Sequence, residues 1–167
     1  MTDPAGDAGT IEPPVWYGPL REPSWLLPRV RDDAPRVVFC AEAWGDQPVD
    51  PPGRDLRLGL PMYLAEAIRF GTDARCVVMP APGTGSHAIV GGDAVVRTEV
   101  APNGDASIRV RVIDGSGAVV DEVVREARDA ATLGEALASL PRACSEALAR
   151  CGVRPIWNSL YTLPAGA

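Results

Sequence analysis

The chain contains no lysine, so all 16 of its basic residues are arginine. Against 22 acidic residues this leaves a formal net charge of −6. Proteins that bind nucleic acid neutralise phosphates with a concentrated basic surface, so this composition argues against a nucleic-acid partner. The lack of lysine also disfavours a Walker A phosphate loop, in which a lysine reaches the phosphates.

Long apolar runs are also missing. No stretch approaches the roughly 20 apolar residues that a helix needs to cross a bilayer. The N-terminal stretch MTDPAGDAGTIEPP has neither the basic nor the apolar region of a secretory signal peptide. We therefore expect a cytoplasmic protein with no membrane span.

The residue types that bind metals are few and poorly spaced. There is one histidine, and the four cysteines form no CxxC pair, which disfavours a zinc site. We expect buried, reduced thiols at Cys40, Cys76, Cys144 and Cys151. The acidic residues of the loop 45–55 lack the spacing of a calcium loop. The sequence thus indicates no metal and no cofactor.

The hydrophobic pattern predicts an α/β (α+β) fold with the order β-α-β-β-β-β-α. RVVFCAEAW and RCVVMP are continuous apolar runs, typical of strands buried on both faces. SIRVRVI alternates, and the turns PNGD and DGSG on either side of it predict an antiparallel meander. Two helices would pack on one face of the resulting mixed sheet. The predicted strands are 36–44, 75–80, 87–100, 106–113 and 118–127, and the predicted helices are 58–71 and 132–151.

Three local features of the predicted helices can be checked. Pro61 is expected in the first turn of its helix, where the missing N–H costs nothing. Thr132 followed by Glu135 predicts a capping box at the start of the second helix. Pro141 lies inside that helix and is expected to kink or break it.

Aromatic residues are scarce, and most lie outside the predicted α/β unit. We divide the chain into a disordered start (1–14), an extended aromatic arm (15–35), the α/β domain (36–155) and a C-terminal arm (156–167). Aromatic side chains in proline-rich segments are common interface anchors, although they can also cover a sheet face of their own domain. The candidate partner-binding residues are Trp16, Tyr17, Trp25, Trp157 and Tyr161.

The glycine-rich stretch PAPGTGSHAIVGG offers a second candidate site. Its possible anion-binding or ligand-binding residues are Gly83, Thr84, Gly85, Ser86 and His87. A backbone anion nest is conceivable there, but a strand rather than a helix is predicted to follow, so a flexible entry into that strand is favoured. Neighbouring strand residues point to opposite faces, which argues against a Ser86–His87 catalytic pair. No catalytic residue is predicted.

The region 36–155 resembles the amino-terminal α/β domain of TolB, which also precedes tetratricopeptide repeats in bacterial proteins. The resemblance rests on SHAIVGGDAVV, ASIRVRVIDGSGAVVDEVV and DAATLGEALASLPRACSEAL. It implies a bacterial interaction or scaffold module that acts through contacts between proteins, either with a partner or by self-association. The alternative is a small nucleotide- or anion-binding enzyme or sensor with its site at 83–87.

Overall fold

The computed structural model describes residues 30, 32–42, 51–79, 93–101 and 106–156. The predicted order β-α-β-β-β-β-α is confirmed. The elements are strand β1 (Arg36–Ala41), helix α1 (Pro51–Gly71), strands β2 (Arg75–Met79), β3 (Ala94–Val100), β4 (Ala106–Ile113) and β5 (Val119–Ala127), and helix α2 (Ala130–Ala149).

The strands form one mixed sheet in the order β2-β1-β3-β4-β5. β1 lies between β2 and β3 and is parallel to both, whereas β3, β4 and β5 are antiparallel neighbours. The continuous apolar runs therefore became the parallel half of the sheet, where both faces are largely buried. The alternating runs became the meander, which has one charged face.

Both helices pack on the same face of the sheet and share one hydrophobic core with it. α1 supplies Leu60, Leu64 and Ile68, and α2 supplies Leu140 and Leu148, all essentially inaccessible to solvent. These residues recur at the three- and four-residue steps of an amphipathic helix, which is why each helix lays one apolar stripe on the strands.

The start of α1 was predicted wrongly. The helix begins at Pro51, seven residues before the predicted start, and Pro61 lies well inside it rather than in its first turn. The two prolines at the start suit a first helical turn, where their missing N–H groups have no helical partner to lose. Pro61 is buried, and the burial of its ring offsets part of the cost of the hydrogen bond that it cannot make.

Two expectations for α2, the position of its cap and a break at Pro141, were also wrong. The N-cap is Asp129, and Thr132 is the third helical residue rather than the cap. Asp129 accepts from the Thr132 N–H at 2.8 Å, and the Thr132 hydroxyl accepts from the Asp129 N–H, which completes a capping box one turn earlier than expected. Pro141 does not break the helix, which runs through it to Ala149.

Neither α1 nor α2 is long and apolar enough to cross a membrane, and these are the helices of the described ranges. All four cysteines are free, as expected. Cys76 and Cys144 are buried, whereas Cys40 and Cys151 are half-buried.

Candidate functional site

The sheet face opposite the helices carries a connected group of three glutamates and three arginines. We call it the charged patch, and its members are Glu42, Arg97, Glu99, Arg109, Arg111 and Glu122. Most come from β3 and β4, where alternate residues point away from the helices. Glu42 follows the last residue of β1, and Glu122 lies on β5.

The strand register brings two arginines together. Arg97 on β3 lies directly opposite Arg111 on β4, a pairing of like charges that is unfavourable by itself. The Glu42 carboxylate bridges them, accepting from Arg97 Nη1 at 2.5 Å and from Arg111 Nη2 at 3.1 Å. The acid at the end of β1 therefore allows the two guanidinium groups to lie side by side.

Glu99 is the most buried acid of the charged patch, with a side chain only 9% exposed. It accepts from Arg109 Nη1 at 3.1 Å and also from Arg111. Glu122, on the other side of β4, is 47% exposed, with oxygens 4.0 Å from Arg109 Nε and 3.7 Å from Arg111 Nε. The patch thus has a shielded carboxylate at one end and a solvated one at the other.

The charged patch has no excess of either sign. A guanidinium group is planar and forms multidentate hydrogen bonds with carboxylates. Such a surface presents fixed charges of both signs, which suits recognition of a complementary protein surface better than proton transfer.

An apolar strip borders the charged patch on the same sheet face. Val38, Val95 and Ile113 are buried there, with Cys40 and Met79 packed against them. Burial raises the pKa of the Cys40 thiol above its ordinary value, although the nearby Arg97 opposes this effect. Cys40 is therefore mostly a neutral, unreactive thiol at neutral pH.

Two buried thiols, Cys76 and Cys144, lie in the core on the helix side of the sheet. Burial raises the pKa of Cys76 to about 12 and that of Cys144 also to about 12. Since the thiolate is the nucleophile and the metal ligand, neither is suited to catalysis at neutral pH. Among the described residues, no group of three or more His, Cys, Asp or Glu side chains could hold a metal ion.

The two flanks of the α/β unit contact it at the same end of the sheet, where β1 and β2 begin. The Arg75 N–H donates to the Pro35 carbonyl at 2.9 Å, which fixes the chain entering β1. After α2, the chain returns to the same end of the sheet, where the Ile156 N–H donates to the Gly71 carbonyl at 2.8 Å. An isolated antiparallel bridge between Thr72 and Pro155 accompanies this contact.

The predicted site residues themselves lie outside the described residues. This holds for Trp16, Tyr17, Trp25, Trp157 and Tyr161, and for Gly83, Thr84, Gly85, Ser86 and His87. Trp157 directly follows Ile156, and the glycine-rich stretch belongs to the connection between β2 and β3. Both sets of residues stay predictions.

The charged patch was missed in the sequence. The alternation in SIRVRVI indicated that Arg109 and Arg111 leave the core, and this was the only signal present. Glu42 lies 69 residues before Arg111, and no local pattern could have paired them.

The fold defines the class of this protein as a mixed α/β sheet with helices on one face. Comparison with models of known protein families gives no match, and a search of curated protein sequences gives none either. The resemblance to the TolB amino-terminal domain therefore stays a prediction.

Proposed function

We propose that this chain is a non-catalytic protein-interaction module, a scaffold or adaptor subunit of a larger bacterial assembly. The observation that carries the proposal is that Pro35 and Ile156, which adjoin the two aromatic arms in sequence, both hydrogen-bond at the end of the sheet where β1 and β2 begin. Two arms that join the α/β unit at the same end of the sheet would present their aromatic side chains to one partner surface. They are effective interface anchors because each buries a large area with few rotatable bonds.

The charged patch supports the same proposal. Arginine is enriched at protein interfaces, and charges of both signs in a fixed arrangement give specificity for a complementary surface. Glu42 and Glu99 hold Arg97, Arg109 and Arg111 in place before any partner arrives. This preorganisation lowers the entropy cost of association. The TolB-like sequence pattern agrees with a role in contacts between proteins.

Replacing the anchors tests the proposal. We expect Trp25→Ala and Trp157→Ala to weaken assembly with the cellular partner or with a second copy, while Trp157→Phe retains most of it. Tagged protein purified from the source cell, followed by quantitative mass spectrometry and light scattering, measures both kinds of assembly. Unchanged assembly in both alanine variants would count against a role of the arms.

A second proposal is a small nucleotide- or anion-binding enzyme or sensor with its site at Gly83–His87. One observation favours it: the connection that contains these residues leaves the sheet after Met79, at the carboxyl end of β2. Ligands of open α/β sheets bind outside the carboxyl ends of the strands. Calorimetry with nucleotides and inorganic phosphate tests it, and an absence of binding, with full cellular function of His87→Ala, would remove it.

A further inference from the structure

β5 borders the sheet, since among the described strands it pairs only with β4. It has nine residues, and two of its apolar side chains are exposed: Val119 by 56% and Val124 by 43%. A long, accessible edge strand is a template for pairing with another chain unless something blocks it.

The hydrogen-bond ladder shows which backbone groups of β5 point away from the sheet. The Ser107 carbonyl accepts from the chain after β3, so the backbone groups of Ser107 point towards β3. Because these directions alternate along a strand, the groups of Val110 point towards β5, where Val110 pairs with Val123. It follows that Val123 uses its backbone groups on β4. The N–H and C=O groups of Glu122 and Val124 therefore point outward.

Two charged side chains of β5 cap these outward groups. Asp121 Oδ1 accepts from the Glu122 N–H at 2.9 Å. Arg125 Nη1 donates to the Val124 carbonyl at 2.9 Å. The caps carry opposite charges and lie two residues to either side of Val123, so an antiparallel copy of the strand would place each cap opposite the other.

We propose that two copies of this chain pair their β5 strands antiparallel about a two-fold axis at Val123. In this register Asp121 lies opposite Arg125 of the second copy, and Glu122 lies opposite Val124. The Glu122 N–H then donates to the Val124 carbonyl across the axis. The released Oδ1 of Asp121, whose Oδ2 already pairs with Arg150 Nη2 at 2.5 Å, then faces the released Nη1 of Arg125. This inference rests on the proposed function, because it names a second copy as a partner of the interaction module.

Repulsion between like charges disfavours the neighbouring registers of a β5–β5 pair. Residues directly opposite in an antiparallel pair must share a face of the sheet, so the axis has to pass through a residue position. An axis at Asp121 or Glu122 would place like charges face to face. An axis at Val124 would oppose Glu122 and Glu126. An axis at Val123 pairs the whole strand and opposes no like charges.

Two variants test the pairing by different means. Val124→Pro removes an N–H that points outward, so the ladder to β4 keeps its hydrogen bonds. Arg125→Glu places acids opposite each other on both sides of the axis. Arg57→Glu on α1 makes the same charge change away from β5 and serves as the control. We expect sedimentation velocity at about 100 μM to show dimers for the wild type and the control, and at least about tenfold weaker dimerisation for both variants.

Hydrogen exchange locates the contact. The amides of Glu122 and Val124 should gain protection as the protein concentration rises, and lose it in the Arg125→Glu variant. If Val124→Pro fails to fold, Arg125→Glu alone decides the result. A dimer that persists in a folded Arg125→Glu variant overturns pairing at β5 but leaves the proposed function standing. A monomeric wild type also overturns the pairing. In that case, loss of a different partner by the Trp157→Ala variant would still support the proposed function.

Discussion

The Glu99 carboxylate lies between the guanidinium groups of Arg109 and Arg111 and accepts a hydrogen bond from each. The two arginines are two residues apart on β4, so both leave the sheet on the same face. One buried acid thus fixes two long, flexible side chains that would otherwise repel each other and move freely.

Removing this charge should cost stability. Glu99→Gln leaves two guanidinium groups without their shielded counter-ion, and each arginine is about a third exposed, so water moderates the loss. We expect a fall in the free energy of unfolding of about 1–2 kcal/mol, below the loss for a fully buried ion pair. Urea denaturation measures it. The control Glu122→Gln, at the solvated end, should change stability by less than about 0.5 kcal/mol, and equal losses in both would contradict this.

Burial in the core between the helices and the sheet predicts a larger loss of stability at Leu140 than at Glu99. Leu140 on α2 is inaccessible to solvent and packs in the cluster that joins both helices to the sheet. Leu140→Ala should lower the free energy of unfolding by about 3 kcal/mol through lost burial and the cavity left behind. Leu58→Ala, where the side chain is 43% exposed, should cost less than about 1 kcal/mol. Thermal and urea unfolding compare the two, and a Leu140→Ala loss no greater than the control would argue against this packing.

Thiol labelling should follow burial. At pH 8, iodoacetamide is expected to modify Cys151 before Cys76 and Cys144, whose pKa values of about 12 leave almost no thiolate. Because burial raises both pKa values, the stability they contribute is present below the ordinary thiol pKa and declines as pH rises from about 9 towards 12. Mass spectrometry of timed reactions gives the order. In denaturant the four thiols should react alike, and native labelling of Cys76 as fast as Cys151 would be inconsistent with the core.

The ionised cap of α2 should make the folding stability of the protein depend on pH in the acidic range. Hydrogen bonds from the Thr132 N–H and hydroxyl lower the pKa of Asp129 below its ordinary value of 3.8. The stabilisation is therefore present above that value and is lost as pH falls through the lower, folded-state pKa. Asp129→Ala should lower the melting temperature at pH 7, and the gap to the wild type should narrow below pH 3.8.

The control for the cap is Asp129→Asn, which keeps the acceptor oxygen but cannot ionise. It should lose less than the alanine variant at pH 7. A gap between wild type and Asp129→Ala that is the same at pH 7 and at pH 3 would show that the ionised cap contributes nothing.

The meander was predictable because its signals are local. In the DGSG turn, Gly117 has a φ of +88°, which favours glycine, and Asp114 Oδ1 accepts from the Ser116 and Ala118 N–H groups. Those contacts lie within four residues. The start of α1 was missed because prolines at 51 and 52 are as typical of a loop as of a first helical turn.

The charged patch was beyond local reasoning. That Arg109 points away from the helices follows from the alternation of β4. Glu99 lies opposite Arg109 because of the register between β3 and β4, and this register depends on the pairing of the whole sheet. Glu42 joins the patch through the still more distant pairing of β1 with β3.

The position of β1 in the sheet has a consequence for the order of folding. β3, β4 and β5 are joined in sequence by short connections, so their contacts are local and can form quickly. β1 is the first of the described strands, yet its place is between β2 and β3, with Val37 opposite Ala94. During synthesis on the ribosome β1 can pair with β2 once α1 and β2 have emerged, but the other side of the apolar run VVFCA stays open until β3 follows.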